Sequence, residues 1–137
     1  MIRVVADSNV YISALNFAGV ADEVLSLGRR HAVALFVSPS ILDEVEGVLV
    51  RKFKWSPKRA RQARAFIEAF AETVVPKEEV AVVTADEPDN RILECALAAR
   101  AHLIVTGDTH LRSLEKFRGS SILSPREFLD TKLWETG

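Results

Sequence analysis

Two rhythms of apolar residues run through this chain. Ile2-Arg3-Val4-Val5-Ala6 and Leu103-Ile104-Val105-Thr106 are almost unbroken apolar runs, which describes short strands covered on both faces of a sheet. Ala32 to Val37 reads as a further strand and Ile122-Leu123 as a very short last one. Val80 to Thr84 reads as a short strand or an irregular edge segment.

The intervening stretches keep the three-and-four spacing of helices buried on one side. A helix from Val10 to about Leu15 is followed by a turn at Gly19. Val20, Val24, Leu25 and Leu27 then line the next helix, with Gly28 and Arg29-Arg30 near its end. Ser38-Pro39 and Ser56-Pro57 are start signals, a capping hydroxyl followed by a proline at the first helical position. The first opens a helix with Ile41, Val45, Val48 and Leu49 on one face. The second opens one with Ala60, Ala63, Phe66, Ile67 and Phe70, ending before Pro76. After Pro88, residues Ile92, Cys95, Ala96 and Ala99 mark another helix. Ser124-Pro125-Arg126-Glu127 carries a capping-box pattern.

Apolar strands alternating with helices predict an α/β fold: a three-layer α/β/α sandwich around a central parallel sheet of four or five strands. The length of 137 residues gives room for one domain spanning 1–137, with a basic helical hairpin at about 39–73. One cysteine, Cys95, allows neither an internal disulfide nor a thiolate cage. The opening MIRVVADSNV has neither a secretory apolar region nor a membrane span. Both point to a reducing, cytoplasmic setting.

Lys and Arg number 18 against 19 Asp and Glu, so the net charge of -1 gives no global polyanion-binding signature. The distribution is more informative. Arg51, Lys52, Lys54, Lys58, Arg59, Arg61 and Arg64 fall in a stretch free of acids, whereas Glu72 to Glu94 is acidic with only Lys77 and Arg91 opposing. The basic stretch suits phosphate contacts beside a cleft, and equally a solvated helix face.

Carboxylates stand at the ends of several elements. Asp7 follows the first strand and Asp108 follows Thr106-Gly107, both at strand exits, where open parallel sheets place their ligands. Glu44 shares a helical face with Ile41 and Val48, a costly position for an isolated charge. Asp86, Glu87 and Asp89 crowd the start of the helix after Pro88, and like charges this close repel without a cation. A cap at Asp7, a solvent-reaching rim at Glu44 and a helix-dipole role for one or two of the later acids also fit. If Asp7, Glu44, Asp89 and Asp108 converge, a hard cation such as Mg²⁺ or Mn²⁺ is the natural counter-charge, and phosphodiester hydrolysis the natural chemistry. The scattered His31, His102 and His110 make no zinc cluster, and the glycines form no phosphate loop, so nucleotide cofactors are disfavoured.

The segments VVADSNVYISAL, SPSILDEVEGVL and ADEPDNRILECALAARAHLIVTGDTHL carry a resemblance to the PIN-domain ribonucleases over nearly the whole chain. In particular they resemble the small prokaryotic members regarded as toxin components of toxin–antitoxin pairs. The resemblance implies Mg²⁺- or Mn²⁺-dependent cleavage of single-stranded RNA, releasing a 3′-hydroxyl and a 5′-phosphate. It implies that Asp7, Asp89 and Asp108 hold the main metal and that Glu44 acts directly or through water. Ser8, Asn9, Asn90 and Thr106 become supporting polar groups, and His110 a neighbour of the scissile phosphate or leaving group. RNA, an antitoxin protein and a second copy of the chain become the expected partners, with no membrane. Ser8 replaces a commoner threonine, and Asn90 stands where many relatives carry a second Asp, which weakens a second metal position.

Other patterns fit less well. A haloacid-type phosphatase requires a second Asp two positions beyond the first, where this chain has Asn9. A response-regulator receiver requires a lysine after its last strand, and none follows Ile122-Leu123. A noncatalytic RNA-binding or protein-interaction module on the same fold, and a metal-dependent nuclease of single-stranded DNA, remain as alternatives.

Overall fold

The computed structural model describes residues 1–82 and 87–135. Its elements run β1 (Arg3–Ala6), α1 (Ser8–Asn16), α2 (Val20–Arg29), β2 (Ala34–Val37), α3 (Pro39–Arg51), α4 (Pro57–Phe70) and β3 (Glu72–Thr73). They continue with α5 (Glu87–Ala99), β4 (Leu103–Val105), α6 (Thr109–Ser113), β5 (Lys116–Phe117), β6 (Ser120–Leu123) and α7 (Pro125–Thr131), and end in a short 3₁₀ turn at Leu133–Glu135.

The strands form one sheet in the order β3-β2-β1-β4-β6-β5. All neighbouring strands pair in parallel except β5, which returns antiparallel against β6. Helices flank this largely parallel sheet, as the alternation of elements predicts. α5 rests on β1 and β2, while α3 packs against α1, α4 and α5. Val4, Val5, Val37, Ile104 and Val105 are wholly buried in the sheet's middle. Covered strands of this kind carry unbroken apolar runs, not alternation.

The start signals act as read. Ser38 Oγ accepts from the Ile41 amide, Ser56 Oγ from the Arg59 amide, and Ser124 and Glu127 form the reciprocal capping box. The turn at Gly19 is real, and its φ of 144° lies where a side chain is poorly tolerated. Gly28 falls near the end of α2, as read, and the helix comes close to Leu35 of β2 at that point. A Cβ there would come 2.1 Å from Leu35 Cδ1.

The sheet has six strands among the described residues, against the four or five expected, because β3 and β5 are two-residue pieces. The pairing next to β2 occurs at Glu72–Thr73, ahead of the expected strand at Val80 to Thr84. Residues 80–82 are not extended into a ladder, and Val83 and Thr84 lie outside the described residues, as does Asp86. Among the described residues no single helix is long and apolar enough to cross a membrane.

Candidate active site

Parallel pairing brings the ends of β1, β2 and β4 to one edge of the sheet. Ala6 lies opposite Val105, so Asp7 and Thr106 leave the sheet side by side, with the Asp7 amide donating to the Val105 carbonyl at 2.9 Å. α1 starts immediately after Asp7 and α3 immediately after Ser38. Each helix therefore points its N-terminal amides, the positive end of its dipole, toward this edge.

Asp7 is buried, 4% exposed, and both oxygens of its carboxylate accept hydrogen bonds. Oδ2 accepts from Thr106 Oγ1 at 2.6 Å. Oδ1 accepts from Ser8 Oγ and from the Asn9 amide, both at 3.2 Å. Thr106 Oγ1 in turn accepts from the Asp108 amide at 2.9 Å, so one buried hydroxyl ties the first acid to the backbone of the last. Asp108 caps α6, its Oδ1 accepting from the His110 and Leu111 amides at 2.8 and 3.0 Å. Asn9 contributes its backbone, and its side chain faces solvent.

Asp89 arrives from the first turn of α5 and is 5% exposed, with Asn90 buried beside it. Among the described residues, ligand atoms of Asp89, Asp108 and His110 all lie within 4.8 Å of one another. His110 Nδ1 is 3.9 Å from Asp108 Oδ1, and the ring is well exposed. Three donors on two converging elements fit a divalent cation. Carboxylate oxygens suit hard ions, and an imidazole is accepted by Mn²⁺ and later first-row metals. Asp7 and Glu44 are not in that compact trio.

Glu44 instead faces a cleft of about 220 Å³ walled by Ser40, Ile41 and Glu44 of α3, by Pro88, Arg91 and Ile92 of α5, and by Ser8. Ser8 binds Asp7, so the cleft opens beside the first acid. Glu44 is partly buried, and its neighbour Asp43 faces solvent, where it pairs with Arg64.

The basic hairpin is placed differently from the expectation of phosphate contacts beside the cleft. The 13 residues of α3 carry the chain about 20 Å from Ser38 at 1.5 Å per residue, so Arg51, Lys52 and Lys54 cluster at the far turn. Lys58, Arg59 and Arg61 follow on the first turns of α4. Arg59 lies over the Trp55 ring at 3.8 Å, and Arg64 is committed to Asp43 and Glu46 at 2.7 and 3.0 Å. None of the seven lines the cleft.

Two residues of the site carry more than the sequence reading gave them. His110 joins the donor cluster. Among the described residues Arg91 is the one cation in the cleft lining, a position signalled in the sequence only by its i,i+3 spacing to Glu94. On α5, burial pushes the Cys95 thiol up to about 12, against the effect of a hydrogen bond with Ser38. Burial and the neighbouring Cys95 likewise raise the pKa of Tyr11.

Strand-end acids around a sheet of this topology define a class. The sequence profile of the PIN domain matches residues 3–110, and the chain belongs to the PIN domain family. It is 32% identical over 118 residues to the uncharacterized protein MJ1680 of Methanocaldococcus jannaschii, covering 82% of this chain and 75% of that protein. Its fold is similar to a chain in the crystal structure of VapBC2 from Rickettsia felis bound to a DNA fragment from their promoter. The TM-score there is 0.62 at 14% identity, covering 88% of this chain and 97% of the other.

Proposed function

We propose that the chain is a metal-dependent endoribonuclease of single-stranded RNA, the toxin component of a toxin–antitoxin pair, working in the cytoplasm as one nuclease domain of residues 1–137. The observation that carries this reading is the Asp89, Asp108 and His110 donor cluster, linked through Thr106 to the buried Asp7. Membership of the PIN domain family supports it. Its partners on this reading are RNA, an antitoxin protein and a second copy of the chain.

Asp7, Asp89 and Asp108 would hold Mg²⁺ or Mn²⁺, with His110 adding an imidazole and Glu44 acting from the cleft wall. The bound cation supplies Lewis acidity and counter-charge at the phosphorus. The residues supply the geometry. Thr106 and Ser8 hold the Asp7 carboxylate in one orientation, and the α6 amides do the same for Asp108. Water attacks in line on the face opposite the leaving 3′-oxygen, leaving a 5′-phosphate, and no side chain forms a covalent intermediate. Asn90, buried beside Asp89, belongs to the support of that acid. The distal basic residues Arg51, Lys52, Lys54, Lys58, Arg59, Arg61 and Arg64 serve, on this reading, strand segments away from the scissile bond.

Matched single strands of RNA and DNA, incubated with Mn²⁺ and with either wild type or Asp108→Asn, test the proposal. Wild type should cut RNA faster than DNA, and the variant should lose at least 100-fold. Faster DNA turnover would transfer the activity to DNA. Equal products from both proteins would remove Asp108 from the reaction, and none from wild type would sink the nuclease reading in favour of a noncatalytic module.

A further inference from the structure

Resting on the reading of the chain as an enzyme of single-stranded RNA, we infer that the far turn of the α3–α4 hairpin is a stacking platform for bases of the substrate strand, several nucleotides from the scissile bond. Its surface is made by Phe17, Phe53 and the Trp55–Arg59 pair.

Two exposed rings from separate elements meet at this turn. Phe17, the C-terminal cap of α1, is 62% exposed, and Phe53, just past α3, is 37% exposed. They meet edge to face with centroids 6.4 Å apart. A lone exposed phenylalanine needs no occupant, whereas two in contact leave a continuous apolar surface. Two residues beyond Phe53, Trp55 packs partly against the core, and Arg59 holds its guanidinium over the ring, 3.8 Å from the centroid. Bases stack on aromatic rings and on guanidinium planes alike. The backbone beneath is a closed helix end: Lys54 takes a left-handed φ of 60°, and the Trp55 amide donates back to the Leu49 carbonyl at 3.0 Å.

Charge surrounds these rings. Arg51, Lys52, Lys54, Lys58, Arg59 and Arg61 are all exposed, and among the described residues none of the six pairs with a carboxylate. A single strand of nucleic acid matches both features, phosphates to the cations and base faces to the rings. Between Arg51 and Arg61 the chain carries no large aliphatic residue, so the apolar part of the turn is built from rings, which favours bases over the aliphatic face of a protein helix. The 13 residues of α3 set the turn about 20 Å along from Ser38. A stacked strand covers that length in about six nucleotides at roughly 3.4 Å each. A substrate of that length or more is held at two places.

Binding of a fluorescein-labelled twelve-nucleotide oligouridylate, followed by anisotropy with Mn²⁺ over a salt series before measurable turnover, tests the platform. The proteins are wild type, Phe53→Leu, Phe53→Tyr and the double variant Lys52→Gln/Lys54→Gln, and urea midpoints check that each is folded. Phe53→Leu keeps an apolar side chain and every charge but removes the ring. It should bind about tenfold more weakly with an unchanged salt slope, and Phe53→Tyr should bind like wild type. The lysine variant should show a log–log salt slope smaller by about 1.4, two phosphate contacts at about 0.7 each. An abasic strand of the same length should bind wild type and Phe53→Leu equally.

Phe53→Leu that holds the oligouridylate as tightly as wild type would overturn the inference, even if wild type cleaves RNA. If that variant at the same time loses a labelled peptide of alternating Glu and Leu that wild type holds, the face belongs to a protein partner instead. Wild type that binds RNA without cutting it would remove the nuclease reading and leave the Phe53 comparison decisive. Wild type that fails to bind RNA at all would overturn both.

Discussion

Thr106 lies 99 residues from Asp7 in the sequence and 2.6 Å from it in space, its hydroxyl donating to the Asp7 carboxylate while accepting from the Asp108 amide. The contact is fully buried on the threonine side. Thr106→Val keeps the shape but leaves a carboxylate oxygen and a backbone amide short of a partner, which costs about 1–3 kcal/mol in total stability. Urea unfolding should show that loss, and Mn²⁺ affinity should fall with it. Thr106→Ser should restore most of both. A valine variant as stable as wild type would show that the hydroxyl bridge contributes nothing.

Asp7 also caps α1, accepting from the Asn9 amide. Asparagine caps helices about as well as aspartate, so Asp7→Asn should keep the fold, with a change in unfolding free energy on the order of 1 kcal/mol or less. RNA cleavage should nevertheless vanish. Retained cleavage at the wild-type rate would remove this acid from the reaction.

His110 gives the donor cluster a nitrogen among oxygens. Imidazole suits Mn²⁺ and later first-row ions better than Mg²⁺. His110→Ala should therefore weaken Mn²⁺ binding by roughly tenfold or more while changing Mg²⁺ binding less, on the scale that ligand-shell losses produce. Calorimetric titration of each ion checks this, and equal losses for the two ions would place the ring outside the coordination shell.

The Cys95 thiol, buried and pushed up to about 12, should resist alkylation in the folded protein at pH 8 and react fully in denaturant. The sign of the pH dependence follows. The folded state holds the thiol proton more tightly than the unfolded chain does. Stability from this group is complete below the ordinary thiol pKa and is lost as pH rises from there toward about 12. Tyr11, also raised by burial, adds to the same alkaline loss at higher pH. Cys95→Ala should flatten the profile between pH 9 and about 12 in denaturation experiments, and a profile identical to wild type would contradict the assignment.

Gly28→Ala would drive a Cβ to 2.1 Å from Leu35 Cδ1, and Leu35 is itself buried. Overpacking of this kind costs about 1–3 kcal/mol. Pairing the change with Leu35→Val should recover part of it. A single variant with an unchanged unfolding midpoint would show that α2 is not seated on β2 in this way.

What the sequence made legible was local. β1 and β4 announced themselves through apolar runs, and α3, α4 and α7 through a capping serine followed by proline. β3 and β5 are two residues each, too short for any period, and Glu72 and Thr73 are both exposed. Only pairing with β2 and β6 makes strands of them. The position of Asp7 and Asp108 just past strands was readable because strand exits are visible in sequence. The distance between the basic turn and the cleft was not, since it depends on the direction in which α3 leaves the sheet edge. Arg91 was hidden for a related reason: an arginine in an acidic stretch gives no sign that it lines a cleft and pairs with a buried glutamate one turn later.

The central claim is that acids remote in sequence share one cation. Anomalous scattering from crystals grown or soaked in Mn²⁺ measures this most directly. The account predicts a peak bound by Asp89 and Asp108, with His110 at its edge and Asp7 on the facing side. Crystals saturated with Mn²⁺ that show no peak between these residues, or whose ions sit only on other surface acids, would contradict it.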